Sequence, residues 1–148
     1  MKTFKDNAGR TWSVALNIFV VKQVRGLLGV DLLDLGIDAK NPADGLLYRL
    51  IADPILLVDV LYAVCKADAD RLGVTDEQFG QAMAGDAIDS ATRALLEELA
   101  DFTPNPRDRA RARRVIEATW QMIDKAQDVL DANAERELPR VMDALMQE

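Results

Sequence analysis

Phe4-Lys5-Asp6-Asn7-Ala8-Gly9-Arg10-Thr11-Trp12-Ser13-Val14-Ala15-Leu16 is the one stretch of this chain that reads as paired strands rather than helix. Trp12, Val14 and Leu16 alternate with Thr11, Ser13 and Ala15, the period of a half-buried strand. Asp6-Asn7-Ala8-Gly9 supplies residues that tolerate positive φ, so Lys2 to Lys5 is expected to fold back and pair with Thr11 to Leu16. A two-stranded ribbon is marginal in water, so this hairpin needs a cover, either the chain's own helices or another molecule's strand.

Everything after the hairpin carries helical spacing. Asn17 is placed to cap a helix through Ile18 to Arg25, with Gly26 and Gly29 loosening its end, and Asp31 to Leu35 reads as one short turn or helix. Gly36 to Asn41 reads as a loop, and Pro42 at a first-turn position opens a helix through Leu46, Leu47, Leu50 and Ile51. Asp53-Pro54 restarts the helix, and Ile55 to Cys65 is apolar on nearly every side, which predicts the central helix of a bundle ended by Gly73. Thr75 followed by Asp76, Glu77 and Gln78 predicts a capped short helix carrying Phe79, Ala82 and Met83 and stopping at Gly85. Asp86 is the expected cap of the next helix, whose Ile88, Ala91, Leu95, Leu99 and Phe102 define one buried stripe.

Pro104 and Pro106 break the chain before a long helix from Arg107 to about Leu138. On it Val115, Thr119, Met122, Ala126 and Val129 form one line, and Ile116, Trp120, Ile123 and Leu130 the adjoining one. Pro139 is expected to kink or restart the last turns, where Val141, Met142 and Leu145 keep the pattern. The fold class is therefore mainly α: a small N-terminal β-hairpin (2–16), a compact helical bundle (17–103) and a long C-terminal helix (107–148), expected as a single domain because 148 residues suit one core.

Composition excludes several function classes. Hydrophobic residues make up 49% and charged residues 29%, which fits a soluble globular protein rather than a disordered one. A net charge of −7 repels a phosphate backbone, so nucleic acid is a disfavoured partner. Met1 to Arg10 lacks the apolar core of a signal peptide, and an apolar run such as Pro54 to Val58 is far short of a membrane span, so no membrane partner is expected. Cys65, the one cysteine, cannot form an internal disulfide, which fits a reducing, cytoplasmic setting.

The chain contains no histidine, which removes the usual general base near neutral pH and the commonest metal ligand. No phosphate-cradling glycine loop is present. Acidic groups cluster at Asp68 and Asp70, at Asp86 and Asp89, and at Glu97, Glu98 and Asp101, without EF-hand spacing, so solvated helix faces or caps are the expected roles. Cys65 sits within the most apolar helix and reads as a small core residue. A non-catalytic protein with no catalytic, cofactor-binding or metal-binding residues is the expectation.

Arg107, Arg109, Arg111, Arg113 and Arg114 crowd the head of the last helix, with Arg107, Arg111 and Arg114 on one side at i, i+4, i+7. Cations sit poorly at a helix N-terminus, so these arginines are expected to have a partner, which is either the chain's own carboxylates or an outside phosphate or acidic surface.

The string F-x-D-x-x-G-R-x-W-x-V-x-L at Phe4 to Leu16, then an amphipathic helix into Leu28-Gly29-Val30-Asp31-Leu32, resembles the start of tail assembly chaperones of long-tailed bacteriophages. Asp53-Pro54, the apolar Leu56 to Val64 helix and Val74-Thr75-Asp76-Glu77-Gln78-Phe79 extend the resemblance to about residue 102. The resemblance implies a protein of the bacterial host cytoplasm that coats the long, apolar, helical tape-measure protein and keeps it soluble during tail assembly. The helix from Arg107 to Glu148 falls outside it. Candidate partner-binding residues are Leu27, Leu28, Leu46, Leu47 and Leu50 as an apolar groove, with Arg107, Arg111 and Arg114 as a charged strip. Met122, Met142 and Met146 suit either a compliant binding surface or core filling. The alternative reading is a self-assembling structural component of a virion or phage-like particle, a homo-oligomer joined through the hairpin edge and the C-terminal helix.

Overall fold

A computed structural model describes residues 2–36, 40 and 44–146, with the side chains at 123 and 126–141 outside that description. The protein is mainly α with one small hairpin. β1 (Lys2–Lys5) and β2 (Thr11–Val14) are followed by α1 (Ile18–Leu28), α2 (Leu46–Ala52), α3 (Pro54–Val64), α4 (Lys66–Leu72), α5 (Asp76–Gln81), α6 (Asp86–Phe102) and α7 (Pro106–Met146). The chain divides into two compact units, 1–113 and 114–148, with the boundary inside α7.

In the first unit the strands pair antiparallel, Phe4 opposite Trp12 and Lys2 opposite Val14. Phe4, Trp12 and Val14 are buried while Thr3, Lys5 and Thr11 face water, so the strand period read from the sequence is the burial pattern. The cover that the hairpin requires is α6, which packs along β1 and touches β2. Its alanines, Ala87, Ala91, Ala94 and Ala100, are all buried and let the two backbones come close. The buried face of α6 is wider than the predicted stripe: Ala91, Leu95 and Leu99 are core, Ile88 and Phe102 are half-buried, and Leu96 and Thr92 join the interior.

α3 is the central helix, in contact with α1, α2, α4, α5 and α6. Asp53 caps it, its carboxylate accepting from the Ile55 and Leu56 N–H groups, and Pro54 takes the first turn where no N–H is needed. The helix does not run on to Gly73 as the apolar pattern suggested. It breaks at Cys65, and α4 carries the chain to Gly73, which closes it at φ 70°. Phe79 meets Trp12 edge to face with ring centroids 5.1 Å apart, and the tilted ring of Tyr62 from α3 at 5.4 Å.

The remaining caps follow from local chemistry. Asn17 accepts from the Val20 N–H at 2.9 Å, and Thr75 and Gln78 form a reciprocal capping box. α1 continues past Gly26 to Leu28 before Gly29 turns left-handed at φ 68°. The predicted Asp86 cap is corrected to Gly85, whose φ of 56° suits glycine, with Asp86 inside the first turn. Asn105 caps α7, accepting from the Arg107 N–H at 2.8 Å. α2 begins at Leu46, and the predicted start at Pro42 lies outside the described residues.

The second unit is the remainder of α7. Its helix neither ends at Leu138 nor restarts at Pro139 but is continuous to Met146. Proline removes one backbone hydrogen bond there, and the intact turns on both sides carry the helix across. Met122 is 72% exposed and Leu145 70%, so at these positions the predicted apolar lines face water. The predictions for Ile123, Ala126, Val129, Leu130 and Val141 fall on side chains outside the description.

Candidate functional site

Past the end of α1 the chain alternates inside and out. Val30, Leu32 and Leu35 are buried, whereas Asp31, Leu33 and Asp34 are exposed. Two aspartate turns set this geometry: the Asp31 carboxylate accepts from the Leu33 N–H at 3.0 Å, and that of Asp34 from the Gly36 N–H at 3.2 Å. The Leu47 N–H donates to the Leu35 carbonyl at 3.1 Å, tying this segment to the start of α2. Gly36, at φ +71°, and Gly45 then meet backbone to backbone, so closely that a Cβ on Gly36 would lie 2.4 Å from the Gly45 Cα. Only glycine fits that crossing.

Beside it lies a cleft of about 890 Å³. Leu28, Val30, Leu33, Leu35 and Leu46 supply its apolar lining, and Asp31, Asp34, Asp44, Asp108, Arg49 and Arg111 its charges. Two of its leucines remain in water, Leu28 at 37% exposure and Leu33 at 48%, while the exposed Leu27 and Tyr48 lie outside the lining. Leucines left this open cost solvation energy that an occupant would recover.

The sequence-predicted site residues divide between this cleft and elsewhere. Leu28, Leu46 and Arg111 line it together, and Leu27 is exposed beside Leu28. Leu47 and Leu50 are core residues, the latter fully buried, because the face of α2 that carries them packs within the bundle. Arg107 is exposed at the head of α7 outside the lining, and Arg114 is exposed in the second unit. Two other arginines of the run meet their own chain: Arg109 donates to the Thr103 carbonyl at 3.1 Å, and Arg113 pairs with Asp101. Sequence reading missed Leu33, Asp31, Asp34, Arg49 and Asp108. An Asp two residues before a turn amide, at Asp31 and again at Asp34, was the available signal.

Titratable groups away from the cleft serve the fold. Cys65 is 2% exposed, and burial, followed by the nearby Asp68 charge, pushes its thiol up to about 12, so near neutral pH it is protonated and donates weakly to the Ser13 carbonyl. Burial also raises the Asp59 carboxyl, with Asp76 and Asp53 adding repulsion. At Asp6 burial pushes the same way, but hydrogen bonds from Trp12 and Arg10 and the Arg10 charge outweigh it and hold the carboxyl below its usual range.

Among the described residues no helix is long and apolar enough to cross a membrane, and no group of three or more Cys, Asp or Glu residues is placed to hold a metal ion. No protein-family model, no curated protein and no solved structure matches the chain.

Proposed function

We propose that this protein is a non-catalytic tail assembly chaperone that binds the helical tape-measure protein and keeps it soluble. The reading begins from the resemblance of Phe4 to Leu16 and of the helices to about residue 102. The observation that carries it is the leucine-lined cleft at the end of α1, where Leu28 and Leu33 stand exposed in the lining of a hollow of about 890 Å³. A helix is about 10–12 Å across, so the hollow holds roughly two turns of one. An apolar ridge laid there covers leucine surface on both partners, which is how helix-in-groove contacts suppress aggregation.

Co-expression with the longest coiled-coil-like protein encoded nearby tests the reading. Affinity capture of this chain should retain that partner and raise its soluble fraction. A partner that precipitates equally with and without this chain removes the chaperone, and a ring of subunits assembling with no client would point instead to a structural component of a particle.

A further inference from the structure

We propose that the cleft selects an amphipathic helix of another protein whose apolar ridge is flanked by lysine or arginine, the cations meeting Asp31, Asp34, Asp44 and Asp108. This deepens the chaperone reading by stating the side-chain pattern of the client, and it rests on that reading only for who the client is.

The argument is charge complementarity around an apolar floor. Among the described residues, four carboxylates line the cleft against two guanidiniums, Arg49 and Arg111. The helix starts beside it do not reverse that balance. The Leu47 N–H of α2 is taken by the Leu35 carbonyl, and at the head of α7 Asn105 accepts from the Arg107 and Asp108 N–H groups. Asp108 itself stands in the first turn of α7, where its charge opposes the positive end of the helix. The end of α1 adds carbonyl character of the same sign as the aspartates, since Leu28 and Gly29 line the cleft. Asp31 and Asp34 each accept a turn amide and are exposed on either side of Leu33, itself exposed. A ridge with acidic flanks would be repelled here, and one with neutral flanks would gain only the leucines.

The test uses the full chain and two synthetic helical peptides with an identical leucine ridge, one flanked by lysine and one by glutamate, read by fluorescence anisotropy. The lysine peptide is expected to bind at least about tenfold tighter at low salt. The gap should close near 0.5 M salt, roughly, where screening reaches a few ångströms. A net charge of −7 attracts any cation, so the deciding comparison is between two quadruple variants of equal charge. Asp31→Asn, Asp34→Asn, Asp44→Asn and Asp108→Asn together should abolish the preference. Asp68→Asn, Asp70→Asn, Asp86→Asn and Asp89→Asn together should keep it. Asparagine preserves the turn-capping oxygen, and thermal melts confirm that each variant folds. Equal loss in both quadruples, equal affinity for both peptides, or sedimentation as a dimer that excludes both peptides would overturn the proposal. A lost client with the peptide preference intact removes the chaperone and leaves this cleft specificity, whereas client rescue undiminished in the cleft quadruple does the reverse.

Discussion

Aspartate-centred turns at two places in the first unit, the hairpin tip and the cleft, are built alike and used differently. At the hairpin tip the Asp6 carboxylate accepts four hydrogen bonds. The Ala8 and Arg10 N–H groups bond one oxygen at 3.0 and 2.9 Å, and Arg10 Nη1 and Trp12 Nε1 bond the other at 2.8 and 2.9 Å. Asp6 is buried, and the turn is fastened further by Asn7, whose backbone and side-chain N–H groups donate to the Ala82 and Ala84 carbonyls. At the cleft, Asp31 and Asp34 each hold one turn amide among the described residues and are exposed beside an exposed leucine. A carboxylate saturated by its own chain builds the fold, whereas one left with open lone pairs beside apolar surface is equipped to meet something else.

The comparison breaks hardest at Trp12, which is fully buried, joins the Asp6 network through its indole N–H and meets Phe79 edge to face. Trp12→Ala is expected to cost about 4 kcal/mol, from the cavity and from the donor lost to Asp6. Urea unfolding measures it, and a loss below about 1 kcal/mol would mean that the hairpin is an appendage and not part of the core.

Asp6→Asn comes next, at about 2 to 3 kcal/mol near neutral pH, because it turns a charged acceptor of four donors into a group that is itself half donor. The pH dependence has a fixed sign. The folded carboxyl titrates below its unfolded value of about 3.9, so its contribution is complete above that pH and disappears as pH falls through the folded value. Stability of the native chain minus that of the variant should be flat from about pH 5 upward and shrink toward pH 2. Subtraction cancels the other carboxylates, including Asp59, whose raised value acts in the opposite direction. A difference that stays constant into acid would show that the Asp6 charge contributes nothing.

The two places also differ in how much the sequence disclosed. Alternation of Trp12 and Val14, the turn-forming Asp6 to Gly9, the caps at Asn17 and Thr75 and the helix restart at Asp53-Pro54 are local signals, and the structure matches them. The cleft depends on residues far apart in the chain, Leu28, Arg49 and Arg111 among them, and no periodicity links those positions. Leu46, Leu47 and Leu50 look alike in sequence, and only the packing of α2 decides that Leu46 reaches the cleft while Leu50 is core. The break at Cys65 was equally hidden, because an apolar run is compatible with one helix or with two that meet inside the core.

Leu33 gives the smallest expected change in stability and the sharpest contrast. It sits at 48% exposure between Leu32, at 2%, and Asp34, so neighbouring leucines differ in environment though not in chemistry. Leu32 fills the core and its truncation belongs with the cavity-forming losses. Leu33→Ser removes an exposed apolar side chain without opening a cavity, so unfolding stability should stay within about 0.5 kcal/mol of the parent. Because the same leucine lines the cleft, that substitution should weaken binding of both the lysine-flanked and the glutamate-flanked peptide while leaving their ratio unchanged. The ratio is set by the aspartates and the common affinity by the leucines, so a change in ratio from Leu33→Ser would mean that charge and apolar contact are not separable in this cleft. Lost stability with unchanged binding would instead place Leu33 with Leu32 as part of the fold.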